Sequence, residues 1–180
     1  MAKVTLIRPR VMVAVKSPVS PTCPPLGLAY IASSLVAAGQ EVSVVDALGE
    51  APAQFLPSDD PRFLLQGLSE PDILSRIDSK TDLIGLSCMY SYEWPHIRNF
   101  LNEIRKKFPR ARIVLGGEHA SALPEFCLDD CSALDACVMG EGEETMVEIA
   151  THTHFAGVAG LVFRAGIGAA RPLVATVNSR

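Results

Sequence analysis

Glu118 and His119 follow a glycine pair at the end of an apolar run, in the stretch LGGEHASALPE (115–125). A carboxylate beside an imidazole is the pairing that general acid–base chemistry uses, and Glu141, in GEGEET (140–145), would be a third group of that kind. No nucleophile elbow, metal-ligand spacing or phosphate loop accompanies them, and GGEH is not the Gly-x-Gly-x-x-Gly dinucleotide pattern. The glycines Gly116 and Gly117 have two readings: a tight turn into a helix, or backbone kept bare for something bulky. The five cysteines form no framework, so reduced thiols are expected. Cys127 and Cys131 fall on an expected helix and Cys137 in an expected strand, where thiols are buried and inert.

Short apolar, β-branched runs must position these groups. KVTLI (3–7), EVSVVD (41–46), DLIGLS (82–87), ARIVLGG (111–117) and LDACVMG (134–140) read as five strands. Runs apolar on both faces suit a parallel sheet covered on each side by helices. PLGLAYIASSLVAAG (25–39), EPDILSRI (70–77), YEWPHIRNFLNEIRKKF (92–108), SALPEFCLDDC (121–131) and EGEETMVEIATH (141–152) have helical spacing. Strand alternating with helix predicts an α/β fold, a doubly wound five-stranded parallel sheet of order 2-1-3-4-5 over residues 1–155. Residues 156–180 read as a β-hairpin turning near 166–170, followed by a tail. Two long loops, 9–24 and 47–69, leave the first two strands.

The unusual loops all fall at the carboxyl edge of that sheet, where open α/β sheets bind ligands. PPLGLAY (24–30) brings Pro25, Leu26 and Gly27; SCMYSYEW (87–94) brings Ser87, Cys88, Met89 and Tyr90. GGEHAS adds Gly116, Gly117, Glu118 and His119, and GEGEET adds Gly140, Glu141 and Gly142. Each feature has a plainer explanation taken singly, His119 as a hydrogen-bonded loop residue and Glu141 as a helix-start acid. Their convergence points to a bound cofactor.

Charge and hydropathy narrow the partners. A net charge of −4 with scattered Lys and Arg leaves no footprint for nucleic acid. No run approaches the roughly 18–20 apolar residues of a membrane span. MAKVTLIRPR reads as a strand and not as a signal peptide, so a cytoplasmic protein is expected.

Together, residues 24–47, DLIGLSCMYS (82–91), IVLGGEHASALPE (113–125) and VMGEGEETMVEI (138–149) resemble the N-terminal cobalamin-binding domain of cobalamin-dependent radical SAM enzymes. The resemblance implies a flavodoxin-like domain with the corrin ring over the carboxyl edge and the nucleotide tail running inward past Gly116 and Gly117. Ser87 would offer its hydroxyl to that tail, and Gly140 and Gly142 would let the fifth loop approach. The Asp-x-His-x-x-Gly motif that supplies a lower cobalt ligand is absent: Arg8-Pro9-Arg10 follows the first strand. The implied state is base-off cobalamin with no protein histidine ligand and Met89 or Tyr90 under the corrin.

The Cys-x3-Cys-x2-Cys motif of the radical SAM cluster is also absent, and a barrel would need roughly 200 further residues. A [4Fe-4S] cluster and S-adenosylmethionine are therefore expected only in a catalytic domain outside this chain, acting in cis or in trans. The leading expectation is a cobalamin-binding module serving methyl transfer or related radical chemistry. The alternatives are a scaffold of the same fold that has lost cobalamin, and a stand-alone enzyme using Glu118, His119 and Glu141.

Overall fold

A computed structural model describes residues 1–16, 23–165 and 173–176. The first strand, β1 (Lys3–Arg8), buries Val4, Thr5, Leu6 and Ile7 without alternation, as a strand covered on both faces must. β2 (Val11–Ala14) follows across Pro9-Arg10, then α1 (Leu26–Ala37), β3 (Glu41–Asp46), α2 (Ala47–Glu50), β4 (Phe55–Pro57), β5 (Phe63–Gln66) and α3 (Glu70–Arg76). The second half comprises β6 (Leu83–Ser87), α4 (Trp94–Lys107), β7 (Arg112–Gly116), α5 (Glu118–Ala122), α6 (Pro124–Asp130), β8 (Ala136–Val138), α7 (Glu143–Thr151), β9 (Leu161–Arg164) and β10 (Leu173–Ala175).

The main sheet has seven strands in the order β10-β9-β8-β7-β6-β1-β3, where five were expected. β3, β1, β6, β7 and β8 are parallel; β9 and β10 are antiparallel additions that continue the sheet beyond β8. The expected hairpin thus belongs to the main sheet, while its turn, 166–170, lies outside the described residues. The strand order reverses at β1, with the connection to β3 running to one side and the later strand β6 on the other, which leaves a crevice at the carboxyl ends of β1 and β6.

Two apolar cores sandwich the sheet. One face packs Ile73 of α3, Ile97, Phe100, Leu101 and Ile104 of α4, and Cys127 and Leu128 of α6 against Ile7, Ile84, Leu86, Ile113 and Leu115. The opposite face packs Leu28 and Leu35 of α1 and Met146 and Ile149 of α7 against Val4, Leu6, Leu83, Val114 and Ala136. Arg105 of α4 closes the first core, donating to the carbonyls of Ala111 (2.7 Å) and Ala133 (2.9 Å) and to the Asp135 carboxylate (2.6 Å).

Within the long loops expected over 9–24, of which 17–22 lie outside the described residues, and over 47–69, short strands form. They supply a second sheet of order β2-β5-β4, antiparallel throughout. Its strands come from both sides of α1 in the chain, and Arg8 braces the approach by donating to the Cys23 carbonyl at 2.8 Å. The single helix expected over 121–131 is two, α5 and α6. Pro124 lacks the N–H that would continue α5, and Leu123 breaks from helical geometry at φ −136° and ψ 51°. No helix among the described residues is long and apolar enough to cross a membrane.

Candidate functional site

The crevice between β1 and β6 opens into a cavity of about 590 Å³. Its inner part is a slot between the sheet, at Leu6, Gly85, Val114 and Val138, and the helices α1 and α7, at Leu28, Ile31 and Met146. Helix α1 places Leu28 and Ile31 one turn apart on the face toward the sheet, so the slot is apolar by the helix's own period. Gly85 keeps it open: a Cβ there would stand 3.0 Å from Leu6 Cδ2 and 3.2 Å from Met146 Cε. Gly142 does the same at the α7 end, where a Cβ would meet Ile31 Cδ1 at 3.0 Å.

The mouth is built by the converging loops. Pro25, Leu26 and Gly27 open α1; Ser87, Met89 and Tyr90 leave β6; Gly116 and Gly117 end β7; Gly140, Glu141 and Gly142 lead into α7; all of these line the cavity. Val11, Met12 and Val13 of the second sheet, with Tyr92, wall its outer side. Met89 and Tyr90 are 48% and 57% exposed, large side chains held where a ligand would cover them. Tyr90 stacks on Tyr92 with ring centroids 5.5 Å apart.

Three expected site residues lie outside the cavity wall. Cys88 is fully buried on the α4–α6 side of the sheet, because successive residues of an extended chain face opposite ways, and burial pushes its thiol up to about 12. Glu118 starts α5 and does not turn inward. His119 is 3% exposed, in contact with Trp94 and Phe126 at ring-centroid distances of 5.3 and 6.4 Å. Its Nδ1 shares a hydrogen bond of 2.9 Å with Ser91 Oγ, and its Nε2 has no partner among the described residues. Burial lowers the His119 pKa, so the ring is neutral at neutral pH.

The two glycines of the β7 loop differ. Gly116 faces open space, with none of the described residues within 4 Å of a Cβ built on it. Gly117 has φ +96°, and its Cβ would lie 2.5 Å from the carbonyl oxygen of Cys88. Gly117, which lines the cavity as expected, also has a requirement of its own: neighbouring backbone demands the glycine there, so that His119 N–H can donate to the Cys88 carbonyl at 3.2 Å.

Sequence reasoning missed Gly85, Glu93 and the second sheet. Glu93, only 4% exposed, lines the cavity and accepts the Met12 N–H at 3.1 Å; burial raises its carboxyl pKa. Beyond Met12 and Tyr92 lies a second cleft of about 710 Å³, where Arg10 Nε–H donates to His96 Nε2 at 3.0 Å. Burial, more than the nearby Arg10 charge, takes the His96 pKa down to about 4. Among the described residues, no three His, Cys, Asp or Glu side chains are grouped so as to hold a metal ion.

A mostly parallel, doubly covered sheet with an apolar slot at its switch point defines a Rossmann-like ligand-binding domain. Residues 12–150 match the model of the B12 binding domain, and the chain belongs to that family. It is 38% identical over 125 residues to the cytidylyl-2-hydroxyethylphosphonate methyltransferase of Streptomyces wedmorensis, covering 68% of this chain and 23% of that protein. It is 34% identical over 148 residues to an uncharacterized methyltransferase of Pyrococcus horikoshii, covering 82% of this chain and 28% of that protein. The chain thus spans about a quarter of the length of the curated relatives it matches.

Proposed function

We propose that this chain is the cobalamin-holding module of a radical SAM methyltransferase, with the cofactor bound base-off. The observation that carries the reading is the apolar slot running from the sheet's carboxyl edge down between α1, α7 and the strands. A benzimidazole-bearing tail fits the chemistry of that slot: flat and apolar against Leu28, Ile31, Val114 and Met146, with the Ser87 hydroxyl near the entrance. Gly116 and Gly27, each facing open space, leave room for the rest of the tail.

When bound, cobalamin supplies the cobalt centre used for methyl transfer. This chain's residues bind and orient. The loops after β1, β6, β7 and β8 would cradle the corrin ring, with Met89 or Tyr90 under the metal and no histidine ligand. His119, sealed behind the β6 loop, is not offered to that face. The same burial disfavours an acid–base enzyme built on Glu118, His119 and Glu141, since only Glu141 lines the cavity. The [4Fe-4S] cluster and S-adenosylmethionine would belong to a catalytic domain in cis or in trans, which residues 156–180 would lead toward. Both methyltransferase relatives are far longer than their matched segments, which supports this division of labour.

The test is a titration of the purified chain with hydroxocobalamin, followed by desalting and a visible spectrum. Stoichiometric retention with a base-off spectrum is expected. Cobalamin recovered wholly in the filtrate overturns the reading in favour of a scaffold that has lost the cofactor.

A further inference from the structure

The stretch Met89–Glu93 forms much of the cavity's outer wall, and four of its side chains, Met89, Tyr90, Tyr92 and Glu93, line it. Ser91 alone turns the other way. Its hydroxyl meets His119 Nδ1 at 2.9 Å, a link between the β6 loop and α5 that spans 28 residues of chain. The histidine cannot drift: Trp94 tilts against it at 5.3 Å, and Phe126 stands edge-on at 83°. Trp94 is itself held by its Nε1–H, which donates to Asp130 at 2.9 Å. The His119 backbone adds a second tie to the same loop through the Cys88 carbonyl.

We propose that His119 is a positioning residue, which through Ser91 sets the direction in which Tyr90 and Tyr92 face the cofactor. Resting on the cobalamin reading above, this gives the histidine of GGEH a role other than ligation. Tying Ser91 to α5 fixes the stretch of backbone from which Tyr90 and Tyr92, on either side of it, project toward the cavity. An imidazole suits the post because it fills an aromatic slot and still presents a hydrogen-bonding nitrogen to the hydroxyl. A phenyl ring would do only the first, and a short amide only the second.

Three variants separate these properties. His119→Phe keeps the ring and loses the bond, Ser91→Ala loses the bond from the other end, and His119→Asn keeps a polar atom near the Nδ1 position. His119→Phe and Ser91→Ala are expected to bind hydroxocobalamin about ten-fold more weakly, with an altered visible spectrum; the melting temperature should hold in His119→Phe and fall in Ser91→Ala, which leaves the buried Nδ1 without its partner. The double variant should be no worse than either single, and His119→Asn should restore most of the affinity. Hydrogen exchange of the cofactor-free protein is the second readout: amides 88–93 should exchange faster in His119→Phe and Ser91→Ala and near the parental rate in His119→Asn. Unchanged affinity, spectrum and exchange in the first two variants overturns the positioning role. Should the parent bind no cobalamin, the Proposed function fails by itself, and exchange at residues 88–93 still decides for or against the His119–Ser91 strut.

Discussion

Glu93 accepts the backbone N–H of Met12 at 3.1 Å, joining the turn after β6 to the first strand of the second sheet. This buried carboxylate is the joint between the cavity's two outer walls, since both residues line it. Desolvation is the larger influence on Glu93 and raises its pKa, against the Met12 N–H and the Arg8 charge, which pull it down.

A carboxyl with a higher pKa folded than unfolded supports the fold fully at pH below its ordinary value of about 4.3 and loses that support as pH rises through the folded value. Glu93→Gln can still accept the Met12 N–H but cannot ionise. Its stability relative to the parent should therefore rise as pH is raised from 4 to 8, measured by urea unfolding at a series of pH values. Two curves that run parallel would show that Glu93 is not desolvated in solution.

Gly116 and Gly117 should fail in different ways. Gly117→Ala puts a Cβ against the Cys88 carbonyl at φ +96° and should cost roughly 1–3 kcal/mol of stability, read from denaturant unfolding. Gly116→Leu extends into open space, should leave unfolding nearly unchanged, and should abolish cobalamin retention on desalting. Loss of stability in Gly116→Leu as large as that in Gly117→Ala would contradict the separation.

Gly85→Val should fill the inner slot. Its Cβ would stand 3.0 Å from Leu6 Cδ2, so about 1–3 kcal/mol of overpacking is expected, together with loss of hydroxocobalamin binding in a titration. Binding at parental affinity would mean that the nucleotide tail does not enter between α1 and the sheet.

Arg105→Lys should not rescue Arg105→Ala. The guanidinium serves the carbonyls of Ala111 and Ala133 and the Asp135 carboxylate together, and Asp135 also accepts the Ile113 N–H at 2.8 Å. An ammonium cannot span that fork, so both variants should lose about 2–4 kcal/mol in denaturant unfolding.

The parallel strands could be read from the sequence because burial on both faces leaves an uninterrupted apolar run, as in VTLI of β1 and LIGL of β6. Helix α4 announced itself by its period, with Ile97, Phe100, Leu101 and Ile104 all buried. The second sheet did not: β2 and β5 are four residues each, sit among proline, aspartate and glycine, and pair across 49 to 55 positions of chain. Most of the cavity wall was readable as loops at one sheet edge. The inward turn of His119 was not, because a five-residue helix has too little periodicity to fix which way a side chain points. The reason for Gly117 lay in Cys88, a neighbour in space that local patterning does not identify.

The three-stranded sheet draws β2 from before α1 and β4 and β5 from after β3, with β5 in the middle. Among the described residues β2 pairs with β5 alone, so losing β5 strips β2 of its ladder, whereas losing β2 leaves β5 with β4 on one edge. Damage to the β4–β5 hairpin should thus be felt at β2, and a ligand resting on Met12 would lend its binding energy to residues near Leu65 that it never touches.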